Sequence, residues 1–385
     1  PVFFPSNVQD ILDMGLHAFA MSRFSGVWSG MKTIQEVVES SASVSVDPDR
    51  VQIVLPEDFP MPQGGLHIRW PDAPLEQEAR LMDHKWYAAL AYVRANKLNH
   101  NVVEGPNDRF GLIASGKAYN DMRQALSDLG LDDATCRRLG IRVHKVNVVW
   151  PLEATITRDF ASGLQEILVV EEKRQVIEYQ IKEQLYNWRA DVRPLVLGKF
   201  DEAEGDRSGG EWGTANPSEH WLLRAKADLT PAIIAKAIAK RLKKLGVDAD
   251  VAARMDERIA AIEARERQLA EIKTDTGDRA PWFCSGCPHN TSTRVPEGSR
   301  AVAGIGCHYM ATWMDRSTST FTQMGGEGVP WVGQAPFTKE GHIFANLGDG
   351  TYFHSGLLAI RQSIAAGVNI TYKILYNDAV AMTGG

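Results

Sequence analysis

The chain is predicted to be a multi-domain α/β protein built on parallel β-sheets. Two observations carry this expectation. Between residues 105 and 200, apolar runs of strand length alternate with segments of helical periodicity. Such alternation calls for parallel strands joined by right-handed crossovers. From His342 to Tyr376 the order strand, helix, strand returns, and polar residues stand at the carboxyl end of each apolar run. Ligands of parallel sheets bind at such ends. A chain of 385 residues leaves room for two or three domains.

The elements follow in order. Val8 to Ala20 carries a helical stripe of Val8, Ile11, Leu12, Leu16 and Phe19, with Ser6 or Asn7 placed to cap it. Val51 to Leu55 reads as a short strand stopped by Pro56, and the Pro- and Gly-rich stretch to Gly65 as a crossing segment. Residues 76–95 form a helix, Phe110 to Ala114 a strand, and Lys117 to Leu129 a helix opened by Gly116. Ser115-Gly116 reads either as an anion-binding helix start or as a tight strand-to-helix turn, the second being favoured. Ile141 to Val149 is a strand, Ile156 to Ala161 helical, Gln165 to Val170 a strand and Val176 to Trp188 helical. Asp201 to Gly213 has linker composition. Thr230-Pro231 pairs a cap with proline at the first helical position, so a helix covers 231–245. Val251, Met255, Ile259, Ile262, Leu269 and Ile272 stripe a second helix, and both helices are expected to cover a domain face. The charges of Arg241, Lys243 and Lys244 read as a solvated helix face.

Composition excludes several classes. There are 42 basic and 48 acidic residues, with no basic stripe of the kind that binds nucleic acid. No apolar run is long enough for a membrane-spanning helix and no secretory signal is present. Four cysteines rule out a disulfide scaffold. A reducing, cytoplasmic setting is expected.

Gly348-Asp349-Gly350 follows the first of the late apolar runs, and 26 residues separate Gly350 from Asn377-Asp378 at the end of the second. Asp349 and the Asn377 side chain are hard oxygen donors. Mg²⁺ takes a few such ligands and completes its shell with phosphate and water. The spacing therefore reads as a Mg²⁺–diphosphate site, against the plainer alternative of two acidic turns. Cys284-Ser-Gly-Cys287 precedes Pro288 and His289, while Cys307 closes a Gly304-Ile305-Gly306-Cys307 loop and is followed by His308. A CxxC pair serves zinc, dithiol redox chemistry or half an iron–sulfur ligand set. His289 and His308 keep zinc open. A [4Fe–4S] cluster needs four thiolates, and three are at hand. Cys136 lies in a charged helical stretch and reads as structural.

The glycine-aspartate-glycine opening and Asn-Asp close resemble the thiamine diphosphate motif. The order CxxC, GIGC, GDG, Asn-Asp and Met382-Thr383-Gly384-Gly385 resembles the thiamine-diphosphate-binding domain of the 2-oxoacid:ferredoxin oxidoreductases. The Cys284–His289 stretch, Phe4 to Leu12 and Ser22 to Trp28 are similar to the indolepyruvate branch. The resemblance spans most of the chain except roughly residues 200–280. It implies an oxidative decarboxylation of an aryl 2-oxoacid to an acyl-CoA, with coenzyme A and ferredoxin as partners and thiamine diphosphate, Mg²⁺ and a [4Fe–4S] cluster as cofactors. It assigns Asp349, Asn377 and the Ala379 carbonyl to Mg²⁺. Gly348, Gly350 and Thr351 then approach the diphosphate, with Tyr352 an alternative to Thr351. Cys284, Cys287 and Cys307 are the candidate cluster thiolates, and His289 and His308 the candidates to face the substrate. Met324 to Gly328 either borders the substrate or is a plain loop. Residues 1–65 are expected to end a pyrimidine-binding-type domain and 66–200 to form a transketolase C-terminal-like domain. Residues 201–280 would be linker and helices, and 281–385 the first part of the diphosphate-binding domain. The fourth cysteine is expected in the remainder of the diphosphate-binding domain and the catalytic glutamate on the preceding domain, both outside this sequence, which is read as an internal piece of a larger polypeptide, inactive alone and homodimeric when whole. The rival readings are a relative acting on another 2-oxoacid, a non-oxidative thiamine decarboxylase and a zinc-stabilised binding module.

Overall fold

The computed structural model describes residues 1–201, 221–272 and 280–377. Most of the linker stretch, Asp378, Ala379 and the 382–385 tail motif lie outside the described residues. The chain divides into two compact units, Pro1–Glu271 and Ile272–Gly385.

In the first unit the strands are β1 (Val2–Phe3), β2 (Gly30–Met31), β3 (His100–Val103), β4 (Phe110–Ser115), β5 (Ile141–Val146), β6 (Val148–Trp150), β7 (Glu166–Val170) and β8 (Leu195–Leu197). The main sheet runs β3-β5-β4-β7-β8, parallel from β5 to β8 with β3 antiparallel at the edge. Period-two alternation divides its side chains between two cores. Phe110, Leu112, Ala114, Leu168 and Val170 pack under the helices Gly116–Asp128 and Pro231–Leu245. Ile113, Ile167 and Val169 pack against Phe160, Ile177 and Ile181 from helices on the opposite face. The α/β class with parallel sheets is thus borne out.

Several local expectations need correction. The first helix runs Val8–Ser25, capped by Asn7, whose Oδ1 accepts the Asp10 N–H at 2.8 Å. Its buried face is Met14, Met21 and Ser25, whereas Leu12, Leu16 and Phe19 of the expected stripe are exposed. Val51 to Leu55 is not a strand. The Val54 backbone groups bond instead to the Asn96 side-chain amide, at 2.9 and 2.8 Å, which closes off strand pairing at that residue. The 141–149 strand breaks at Asn147, where the Asn99 Oδ1 accepts the Asn147 and Val148 N–H groups and the chain passes from the main sheet into the small sheet β2-β1-β6. Arg241 is not solvated. It is 1% exposed and makes a bidentate pair with Glu166 at 2.6 Å, with Asp201 at 2.7 Å. On the helix Ala249–Glu271 only Val251 and Met255 are buried, and Leu269 and Ile272 of the expected stripe are exposed. Gly116 supports the tight-turn reading. Its φ is +54°, and a Cβ there would fall 2.6 Å from the Phe4 ring.

The second unit contains β9 (Ala301–Ala303), β10 (Thr318–Phe321), β11 (Ile343–Gly348) and β12 (Ile370–Leu375) in the order β10-β9-β11-β12, all parallel. Val302, Trp331, Ile343 and Ala345 form its main described core. The helical run expected between the last two strands is present from Asp349 to Ala365, with a π-helical segment at Tyr352–Gly356.

Candidate functional site at the strand ends of the second unit

β11 and β12 pair in parallel with Gly348 beside Leu375. Their carboxyl ends therefore stop together, which brings Asp349 next to the residues that follow Leu375. The Asp349 carboxylate accepts the Gly350 N–H at 2.7 Å through Oδ1 and the Asn377 N–H at 3.4 Å through Oδ2. Two polar residues 28 apart in sequence are joined by the sheet register. Asp349 is buried, and Thr351 beside it is 1% exposed with no partner for its hydroxyl. Tyr352 is half-buried, with its ring edge-on to Phe353.

The GIGC loop reaches the same place. A Cβ on Gly306 would lie 2.9 Å from the His308 Cε1, and a Cβ on Gly348 3.3 Å from it. The imidazole is thus held between the two glycines, and any larger residue at 306 would displace it. Its Nε2 has no partner. Burial pulls the His308 pKa down to about 4, and the His289 charge adds to this while Asp349 opposes it. His289 is shifted down by burial as well, again opposed by Asp349, and its Nδ1 is also unpartnered. A neutral imidazole offers one donor and one acceptor nitrogen, so both rings are available to a ligand.

The cysteines converge on this region. The CxxC turn closes with the Cys287 N–H on the Cys284 carbonyl at 3.1 Å, and Asn290 Nδ2 donates to the carbonyls of both cysteines. Cys287 and Cys307 pack against Phe283, Ala311 and Met314. The Cys307 thiol is pushed upward by burial and by the nearby Cys287, Cys284 and Asp349 charges. Cys284 is exposed. Among the described residues no group of three or more His, Cys, Asp or Glu side chains is closed tightly enough to hold a metal ion. Cys136 is buried in the first unit with its thiol pushed up to about 12, as a structural cysteine would be.

The structure thus gathers Asp349, Asn377, Gly348, Gly350, Thr351, His289, His308, Cys287 and Cys307 about the carboxyl ends of β11 and β12, while Ala379 lies outside the described residues. Sequence reasoning missed Asn346 and Glu327. Asn346 is fully buried with neither side-chain atom partnered, and Glu327 is fully buried with Oε1 unpartnered. An asparagine inside the apolar run Ile343 to Leu347 was the available signal for the first, because a polar residue in a buried strand calls for an explanation. The donor set suits the implied groups. Hard oxygens stand at the strand ends, unpartnered hydroxyl and imidazole groups lie beside them, and thiols sit a short way off.

Residues 99–272 match the indolepyruvate ferredoxin oxidoreductase middle domain. The indolepyruvate oxidoreductase subunit IorA of Pyrococcus abyssi is 26% identical over 415 aligned positions, covering all of this chain and 56% of the relative. IorA of Methanothermobacter marburgensis is 24% identical, with the same coverage. The chain therefore spans little more than half the length of these relatives. A 2-oxoglutarate:ferredoxin oxidoreductase from Magnetococcus marinus, solved with 2-oxoglutarate, coenzyme A and succinyl-CoA, overlays on 63% of this chain and 42% of its own at 12% identity and a TM-score of 0.36. That overlay is too distant for residues to be compared. The resemblance seen in the motifs is borne out: residues 99–272 match the model of the indolepyruvate ferredoxin oxidoreductase middle domain, and the chain is similar to the IorA subunits along its whole length.

Proposed function

We propose that this chain is part of a thiamine-diphosphate-dependent 2-oxoacid:ferredoxin oxidoreductase that converts an aryl 2-oxoacid such as indolepyruvate and coenzyme A to an acyl-CoA, CO₂ and reduced ferredoxin. The observation that carries this reading is the meeting of Asp349 and Asn377 at neighbouring parallel strand ends, with the GIGC histidine packed onto Gly348. Asp349 and Asn377, with the Ala379 carbonyl, would hold Mg²⁺ on the diphosphate. Gly348, Gly350 and Thr351 would lie against its oxygens. Thiamine diphosphate, when bound, supplies the electron sink that no side chain offers to a carbon losing CO₂. Cys284, Cys287 and Cys307, completed by a fourth thiolate, would hold the [4Fe–4S] cluster that passes electrons singly to ferredoxin. His289 and His308, buried and neutral, are suited to orient the substrate by hydrogen bonding. The finer division of the chain at residues 65, 200 and 280, the homodimer and a cytoplasmic location belong to the same proposal. No helix among the described residues is long and apolar enough to cross a membrane.

One observation favours a second reading. The two unpartnered histidines beside the cysteines also suit a zinc-stabilised module. Anaerobic iron, sulfide and zinc analysis of the full-length protein, with reduced-state EPR, separates the two. About four irons per site with arylpyruvate-dependent viologen reduction is the expected result. Stoichiometric zinc without iron, and no viologen reduction, would overturn the proposal.

A further inference from the structure

Glu327 has no explanation in the site as described. Its side chain is fully buried, and His354 is the cation that acts on its charge. Oε2 accepts the Gly325 N–H at 2.8 Å, and its backbone carbonyl accepts the Tyr372 hydroxyl at 2.9 Å. Oε1 has no partner. Burial pushes the carboxyl upward, with only its backbone hydrogen bonds and the His354 charge opposing. A buried carboxyl with an empty oxygen is costly, and a leucine of similar volume would be cheaper. Stability therefore does not account for it, but its surroundings do. A Cβ on Gly304 would lie 2.3 Å from the Glu327 Cγ and 2.5 Å from Cδ. The flat carboxyl group lies directly against the Gly304 backbone, at the opening of the loop that ends in Cys307. The far end of that loop carries His308, lodged between Gly306 and Gly348.

We propose that Glu327 is a positioning residue for the Gly304–Cys307 loop, and through it for the Cys307 thiol and the His308 ring at the Asp349 strand end. Two bonds anchor the glutamate, one to its own loop and one to Tyr372 of β12. The loop rests on the fixed carboxyl face, so its height above the sheet is set by that face. Gly304 is the matching surface, since any side chain there would have to enter the space the carboxyl fills. The functional weight of this placement rests on reading Cys307 as a cluster ligand, but the placement itself is tested without a cofactor.

The experiment uses full-length protein stripped of metal under anaerobic conditions, in wild-type, Glu327→Gln, Glu327→Ala and Gly304→Ala forms. Iodoacetamide labelling rates at Cys307 and Cys284 are measured at one pH by peptide mass spectrometry. Glu327→Ala and Gly304→Ala are expected to raise the Cys307 rate about tenfold relative to Cys284. Glu327→Gln, which keeps the shape and removes the ionisable group, should stay within about twofold of wild type. Three results would each overturn the proposal: an unchanged ratio in both the Glu327→Ala and Gly304→Ala proteins, equal acceleration at both cysteines, or a Glu327→Gln effect as large as that of Glu327→Ala. A parallel titration of wild type with thiamine diphosphate and Mg²⁺ reports on the proposed function alone. Its failure would remove that function and leave the labelling ratio to stand or fall independently.

Discussion

The two units differ in where their unpartnered buried polar atoms lie. In the first, the buried Arg241 and the buried carboxylates of Glu153 and Asp108 meet opposite charges, while single side-chain atoms of Ser29, Asp108, Arg123, Asn147, Gln175 and Gln184 have no partner and are spread over residues 29–184. Arg241 is answered by Glu166 and Asp201, Arg94 by Glu153 and Asp58, and Arg142 by Asp108. In the second unit, among the described residues, one buried polar group after another lacks a partner: His289, Ser292, His308, Arg316, Glu327, Asn346 and Thr351 each have an unpartnered side-chain atom. Three of these belong to the strand end or the loops that carry Asp349 and Cys307. An unmatched buried donor or acceptor costs about 1–3 kcal/mol, and a ligand at the strand end, as proposed above, would supply missing partners. We read the strand-end cluster of the second unit as a receptacle for the proposed cofactor.

This contrast can be broken or sharpened by mutation. The largest effect is expected in the first unit. Arg241→Met leaves Glu166 buried without its partner and should lower stability by about 3–5 kcal/mol in urea denaturation. The double variant Arg241→Met/Glu166→Met should recover much of that loss. If the single variant were neutral, the ion pair would not be what holds the helix Pro231–Leu245 on the sheet.

A second effect, smaller within any one pH unit, concerns pH. His144 is buried with its Nδ1 2.7 Å from the Asn101 Oδ1, and burial pulls its pKa down to about 3. Unfolded histidine titrates near 6.5. Between those values the unfolded chain binds a proton that the folded chain refuses. Stability should therefore fall as the pH drops from about 6.5 towards 3, with a His144 share approaching ~1.4 kcal/mol per pH unit. His144→Gln should flatten the acid limb of a stability-versus-pH curve by that slope, and an unchanged limb would mean the ring is accessible to protons in the fold.

The smallest effect is expected in the second unit. The Asn346 side chain has no partner, so Asn346→Leu should leave stability unchanged or raise it by about 1 kcal/mol, read from thermal unfolding of the cofactor-free protein. A loss of that size would show that Asn346 is already partnered and would weaken the receptacle account.

Much of this was legible in the sequence because it is local. The cap and proline at Thr230-Pro231 marked the helix Pro231–Leu245 to the residue. The GDG-to-Asn377 interval placed two strand ends side by side, because parallel pairing converts a sequence interval into spatial register. What was not legible depended on partners distant in sequence. Arg241 read as solvated because Glu166 lies 75 residues away. The first helix offers a leucine–phenylalanine stripe and a methionine face, and only the neighbouring helix Trp86–Ala95, whose Ala89, Tyr92 and Val93 share a core with Met14 and Met21, decides between them. Glu327 lay within a glycine-rich segment already singled out, but its contact with Gly304 across the unit left no trace in spacing.

The most direct test of the receptacle account is calorimetric titration of the full-length protein with thiamine diphosphate, with Mg²⁺ and with EDTA, in wild type and Asp349→Asn. The account predicts Mg²⁺-dependent binding that Asp349→Asn weakens at least about 100-fold, or ~2.7 kcal/mol, while the thermal midpoint of the cofactor-free protein stays where it was. Equal binding by both proteins, or a variant that loses binding only because it unfolds, would contradict it.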